Sequence, residues 1–329
     1  DIGAAGTPDD VENNQQLDAI ATVHSGLDNR PMTDRNGNRA TTTIVCVRLA
    51  AVSLSKTVSP ESANVGSLHT WTLRFGNSSE TDVTACRIAD VLPWDGDTRG
   101  SRFSGLYRVD SVTLDLTNAP LLRDELEGTE CLQMTSDTQA RTVGDARIAQ
   151  GLDTLPWTSL GAPERDGSML VWRDVNLMSD DVAALRFNIG TMHGQEYLTI
   201  KLEVSTSADG GFTDGLWSDA SGAISSDGDV YANGFAEYAV GQADVVRSNT
   251  VRTEVRLAEL EVLKRWQDTG WEDRRPESVT IDVLADGAVV RTIELSDDTA
   301  WTWSERMPYY AEDGHVIDYD VSEESVDDY

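Results

Sequence analysis

Positive charge is what this sequence has least of. Its 329 residues hold 26 Lys and Arg against 57 Asp and Glu, a formal net charge of −31. Phosphate recognition needs a basic surface, so the deficit excludes nucleic acid as a partner and disfavours an anionic membrane surface. Long apolar runs are missing too. No stretch reaches the roughly 20 residues of a membrane-spanning helix, and no signal peptide opens the chain. The three cysteines, Cys46, Cys86 and Cys131, stand at no metal-ligand spacing, and the four histidines form no zinc motif. A Cys86–Cys131 disulfide suits an oxidising compartment, and buried free thiols suit the composition equally. No Ser-His-Asp order and no phosphate-binding glycine loop is present.

What is there is alternation. LHTWTLRFGN, TDVTACRIADVL, YRVDSVTLDL, VAALRFNIGTM and EYLTIKLEVSTS alternate apolar and polar residues between turn residues, which is the pattern of half-buried strands. The region near LLRDELEGTECLQ alone suits a short helix. The expected fold is all-β: tandem Ig-like β-sandwiches in an elongated array. The expected boundaries are 1–50, the tail of a preceding repeat domain; 51–257, a large sandwich with an insertion near 99–165; and 258–329, a smaller sandwich lacking its last strand. In that smaller sandwich, Asp286-Gly287 marks a hairpin turn.

Residues 207–234 form a Gly/Asp/Ser-rich stretch. Its Asp209, Asp214, Asp219, Asp227 and Asp229 are the calcium candidates. They follow no calcium-loop spacing, and a solvated loop is the first reading. No other cofactor is expected. Among the tryptophans, Trp71, Trp172, Trp266 and Trp301 lie on strand patterns and suit a core, while Trp94, Trp217 and Trp271 lie near turns and suit exposure.

The junctions repeat. Val47-Arg48-Leu49-Ala50 matches Val255-Arg256-Leu257-Ala258; a lysine follows each (Lys56, Lys264) and an asparagine precedes each (Asn38, Asn249). Repetition of the junction points to domains strung in series. At strand period Lys264 shares a face with Leu260, Val262 and Trp266, and Asn249 is in phase with Val245, Val251 and Val255. Buried lysine and asparagine side chains need partners. Taken by phase alone, each is more often a solvated edge lysine or a turn asparagine.

From Lys264 onward the sequence closely resembles the collagen-adhesin B-type domain of Gram-positive surface proteins. The resemblance rests on Lys264 and Trp266, Arg275-Pro276, Ala285-Asp286-Gly287, Trp301, and Tyr319-Asp320-Val321-Ser322-Glu323. The preceding region, with LSKTVSPESANVGSLHTWTLRFGNSS, RIADVLP and SNTVRTEV, is similar to the surface-repeat domains strung in tandem in actinobacterial adhesins.

In such families a strand lysine attacks an asparagine carboxamide and releases ammonia, assisted by a buried acid. Burial lowers the amine pKa and raises that of the acid, so that both meet uncharged. The resemblance implies Lys56 as nucleophile, Asp90 as acid and Asn249 as amide donor. For the second domain it implies Lys264 with Glu323, the asparagine lying beyond Tyr329; Asn38 would serve a lysine upstream of Asp1. It further implies an extracellular, cell-wall location and a structural stalk with no substrate turnover. The partners implied are neighbouring domains or pilus subunits. The alternative makes the middle domain a module binding a host matrix protein or glycan through its insertion and Asp-rich loops.

Overall fold

Two short antiparallel strands come first, β1 (Gln16–Thr22) and β2 (Arg39–Val45), in register from Gln16↔Val45 to Thr22↔Arg39. The computed structural model describes residues 16–22, 39–45 and 207 as backbone, and 52–206, 228–240, 242 and 244–325 in full. The chain divides into two compact units, 1–52 and 53–329. Asn38 and Cys46 lie outside the described residues.

The second unit begins with β3 (Val52–Ser59), β4 (Ser62–Asn64), β5 (Leu68–Asn77), β6 (Val83–Val91) and β7 (Leu106–Asp115). Then come α1 (Pro120–Leu126), β8 (Leu132–Thr135), α2 (Gln139–Val143), α3 (Asp145–Ala149) and the short strands β9 (Thr158–Ser159) and β10 (Glu164–Asp166). The next four are β11 (Met169–Trp172), β12 (Leu177–Met178), β13 (Ala184–Met192) and β14 (Tyr197–Ser207). After the Asp-rich stretch follow β15 (Asp229–Asn233), β16 (Ala236–Val240), β17 (Val246–Arg247) and β18 (Val251–Arg256).

These strands make three sheets. One runs β10-β11-β7-β14-β5-β3, with β12 also on β7. The second runs β17-β16-β6-β13-β8-β9, and the third is β15-β18-β4. β18 and β4 pair in parallel, Glu254 to Arg256 against Ser62 to Asn64. Inward faces meet through aromatic side chains: Trp71 of β5 and Tyr231 of β15 each lie edge-on to Tyr107 of β7, at 5.9 and 5.6 Å. All three rings are fully buried or nearly so. A second cluster packs α2 and α3 onto the β6/β16 face through Ala140, Ile148, Ala149, Ala89 and Ala236, with Trp94 and Trp157 against it.

Two expectations for the middle of the chain need correction. The region near 99–165 is no appendage, because β7 stands in the middle of the first sheet and β8 inside the second. It also holds three short helices rather than one. Five-residue helices such as α2 and α3 are too short to show a helical period in sequence.

The last strands are β19 (Ala258–Leu263), β20 (Ser278–Ala285), β21 (Ala288–Ser296), β22 (Thr302–Met307) and β23 (Tyr319–Glu323). β19 pairs with β22, and β20 lies between β21 and β23. Their core is Val279, Ile281, Val283, Ile293 and Leu295, with Leu260, Val262, Trp266 and Trp301 packed on it. The β20–β21 hairpin turns at Asp286 (φ 51°) and Gly287 (φ 80°). Two successive left-handed residues define the tight turn that matches strand twist, which is why the Asp-Gly pair is there.

Candidate functional site

Lys56 is the centre of the site. β3 alternates buried and exposed residues, and Lys56 takes the buried phase with Val52. Its ammonium is enclosed by protein, 5.4 Å from the Trp71 ring and 5.9 Å from that of Phe235. Desolvation lowers its pKa, opposed by Asp90. Asp90 comes from β6 and is also fully buried; Lys56 Nζ donates to its Oδ2 at 3.0 Å.

The same Oδ2 accepts from a second nitrogen, Nδ2 of Asn233, at 3.3 Å. Asn233 ends β15 and is buried without residual exposure. Its Oδ1 accepts from Arg99 Nη1 at 3.1 Å and from the Gly234 backbone N–H at 2.8 Å. Two donors on one side and a carboxylate on the other fix which carboxamide atom is oxygen. Amine, acid and carboxamide thus converge from three strands belonging to three different sheets.

Asn249 is elsewhere. Its Oδ1 accepts from the Lys56 backbone N–H and its Nδ2 donates to the Lys56 carbonyl, both at 2.8 Å. Backbone hydrogen bonds lie in the plane of a sheet and side chains stand perpendicular to it. A carboxamide clipped to both backbone groups of Lys56 is therefore not at its Nζ. Asn249 is exposed, in the gap between β17 and β18, and the break in strand removes the phase that had placed it among valines. Asn233, by contrast, was read as part of a loop. The signal that finds it is the run Asp229-Val230-Tyr231-Ala232-Asn233, in which positions 229, 231 and 233 are all buried.

Around this triad sit further titratable groups. Arg99 is anchored at every nitrogen: Nε and Nη2 on Asp97 Oδ2 at 3.1 and 2.9 Å, Nη1 on the Val91 carbonyl at 2.6 Å, Nη2 on that of Leu92 at 3.2 Å. Asp145, the first residue of α3, accepts from the Val91 N–H at 2.7 Å. Burial pushes its carboxyl up to about 7. His69 of β5 is buried with neither ring nitrogen hydrogen-bonded, and burial takes its pKa down to about 3.

In the last strands Lys264 and Glu323 are brought together, Nζ lying 2.7 and 2.8 Å from the two carboxylate oxygens. Lys264 Nζ also lies 4.6 Å from the Trp266 ring, which meets Trp301 edge-on at 5.0 Å. This pair is wetter than the first: the side chains are 18% and 38% exposed, against 0% for both Lys56 and Asp90. Residues 258–329 contain no asparagine.

The remaining candidates separate. Cys86 and Cys131 are free and buried, flanking β13 from opposite sides, Cys86 opposite Gly190 and Cys131 bonded to Asn188. Two ladder spacings of ~4.8 Å keep them beyond the ~7 Å reach of a disulfide. Burial raises their pKa values to about 12 and about 11. Asp229 is buried, with Oδ1 and Oδ2 accepting from Ser104 N and Gly105 N, so it holds a loop and is no open calcium ligand. Asp209, Asp214, Asp219, Asp227 and Trp217 lie outside the described residues. Trp271 is 54% exposed as expected, whereas Trp94 is half-buried under α2 and α3.

Residues 260–329, which hold the Lys264–Glu323 pair, match the family described as Cna protein B-type domain. Those residues form a B-type domain. A 68-residue stretch is 40% identical to the collagen adhesin of Staphylococcus aureus, 20% of this chain and 6% of that protein. A single B repeat unit of the same collagen-binding surface protein aligns at 34% identity over 22% of this chain and 40% of that one, with a TM-score of 0.21. The 35 kDa C-terminal fragment of a major pilin of Streptococcus agalactiae aligns at 12% identity over 84% of this chain and 87% of that one, with a TM-score of 0.38. The chain therefore spans a small fraction of the curated relative it matches.

Proposed function

We propose that the chain is a segment of the stalk of a Gram-positive surface adhesin or pilus, outside the cell and held to its wall. In this reading residues 53–257 are stitched by a self-formed isopeptide bond between Lys56 and Asn233, with Asp90 as the assisting acid. The observation that supports it is the single Asp90 oxygen lying between the Lys56 amine and the Asn233 amide nitrogen.

Burial disfavours the charged amine and so moves Lys56 toward the neutral form that attack requires. Nζ adds to Cγ of Asn233, and Asp90 Oδ2 receives the proton that the new bond releases from Nζ. The same oxygen hands a proton to Nδ2 as the Cγ–Nδ2 bond breaks, and ammonia leaves. Carboxylate and total charge are restored. Holding the reactants together replaces most of the entropic barrier, so one slow intramolecular turnover needs no outside enzyme. Lys264 and Glu323 form the amine and acid of a second such site in the B-type domain, still wanting an asparagine. The proposed partners are neighbouring domains of the array and other pilus subunits. A host matrix or glycan ligand is the lesser reading, since the family match covers residues 260–329 and brings no ligand to residues 53–257.

Intact mass of the denatured, reduced protein tests this. The wild type should weigh one ammonia less than its sequence, Lys56→Met and Asn233→Ala should carry the full mass, and Asn249→Ala should keep the deficit. Full mass in the wild type sinks the cross-link. A deficit that survives Asn233→Ala but not Asn249→Ala would return the bond to Asn249.

A further inference from the structure

The attack described above creates negative charge on a buried oxygen, and Asp90 cannot hold it, because Asp90 faces the nitrogens. The oxygen of Asn233 faces Arg99 Nη1 at 3.1 Å and the Gly234 N–H at 2.8 Å. We propose that Arg99, with the Gly234 N–H, is an oxyanion site for isopeptide formation, and that Arg99 is a catalytic residue. This rests on the Lys56–Asn233 reading.

The case is one of placement. Oxyanion donors accelerate acyl transfer when they are aimed beforehand at the atom that becomes charged and need no rearrangement. Arg99 meets that condition because its other donors are spent on fixed acceptors: two backbone carbonyls at the end of β6, Val91 and Leu92, and the carboxylate of Asp97. Asp97 is itself locked, its Oδ1 accepting from the N–H groups of Arg99 and Ser101 and its Oδ2 from Ser101 Oγ. The guanidinium stacks 5.4 Å from the Trp94 ring, its side chain only 14% exposed. One N–H direction is left, and it meets the reacting carbonyl.

In the bonded sequence, the C=O π pair moves to Oδ1 as Nζ joins Cγ, and the alkoxide sits between guanidinium and N–H. The pair returns as Nδ2 departs with the proton from Asp90. No oxidant, reductant or metal enters. The two halves of the site then divide the work: Asp90 moves protons between the nitrogens while Arg99 carries the oxygen's charge.

The test follows bond formation in time. Full-length chain recovered unfolded and uncrosslinked is diluted into refolding buffer, and the lighter species is counted by intact mass. Arg99→Gln should cross-link on the order of a hundredfold more slowly than wild type, the usual effect of losing one oxyanion donor. Arg99→Lys should fall between, keeping charge but losing the planar fork. Folding is checked separately by near-UV circular dichroism of both variants in a Lys56→Met background, where no bond can form. A folded Arg99→Gln that cross-links at the wild-type rate overturns the proposal. Should Arg99→Gln fail to fold, Arg99→Lys decides: a slowing of about tenfold or more with native dichroism supports the oxyanion role, and the wild-type rate refutes it. If the wild type itself never loses ammonia, the underlying cross-link fails instead, and that outcome is distinct from either.

Discussion

Asp145 holds its proton to higher pH than an ordinary aspartate does, because burial strips its carboxylate of water and Asp90 adds a like charge nearby. Its folded pKa, about 7, lies above the unfolded value of 3.8. Between those values the folded chain binds more protons than the unfolded one, so this group costs stability progressively as pH rises from about 4 to about 7. Above that window the cost is constant. Asparagine can still accept from the Val91 N–H but cannot ionise. Asp145→Asn should therefore melt near the wild type at pH 4 and several degrees above it at pH 8, by calorimetry at matched ionic strength. An equal difference at both pH values would mean that Asp145 does not titrate in this window. At this scale the sequence was half legible. Alternation put Lys264 on an inward phase, because strand period survives wherever a strand is long, while Lys56 and Asp90 came from the family resemblance. Asn233 escaped because its five-residue strand adjoins a run of Gly, Asp and Ser that outweighs it. Arg99, in a turn, had no period to show.

Among the elements, β4 has three residues and yet holds the B-type domain in place. Asn64 Oδ1 accepts from the N–H groups of Tyr309 and Tyr310, both at 2.8 Å, and its Nδ2 donates to the Tyr310 carbonyl at 2.7 Å. Arg256, at the end of β18, adds a cation–π contact 5.1 Å from the Tyr309 ring. Removing a side chain that satisfies three backbone groups costs about 1–3 kcal/mol. Asn64→Ala should lower the melting transition of the B-type domain by several degrees while leaving the mass deficit at Lys56 untouched; an unchanged calorimetric trace would show the clamp to be idle. The strands themselves were largely readable, since the apolar alternation of β5, β6, β13 and β14 is long and regular. The short helices were not, and neither was the central place of β7, because strand order depends on which edges pair and leaves no mark on the local pattern.

For the whole molecule, the proposed bond closes one long loop of chain running from β3 to β15. Cross-linking a loop of that size lowers the entropy of the unfolded state by on the order of 5 kcal/mol. Lys56→Met keeps the volume of the side chain but cannot form the bond. It should lower the melting temperature of residues 53–257 by roughly 10–20 °C, with trypsin sensitivity rising in parallel. A melting point within a degree or two of wild type would mean that the amide is absent or adds nothing.

The meeting of Lys56 and Asn233 also decides where tension goes. Once joined, pull entering at β3 crosses through the side chains to β15 and leaves by β18. Everything between those two residues hangs off the line like a side chapel off a nave. The stretch joining β14 to β15, with its Asp-rich segment, can therefore lengthen, shorten or change composition over evolution without altering how far the cross-linked chain would extend under load. Change after Asn233 has no such freedom, because the strands from β16 to β18 stay in line.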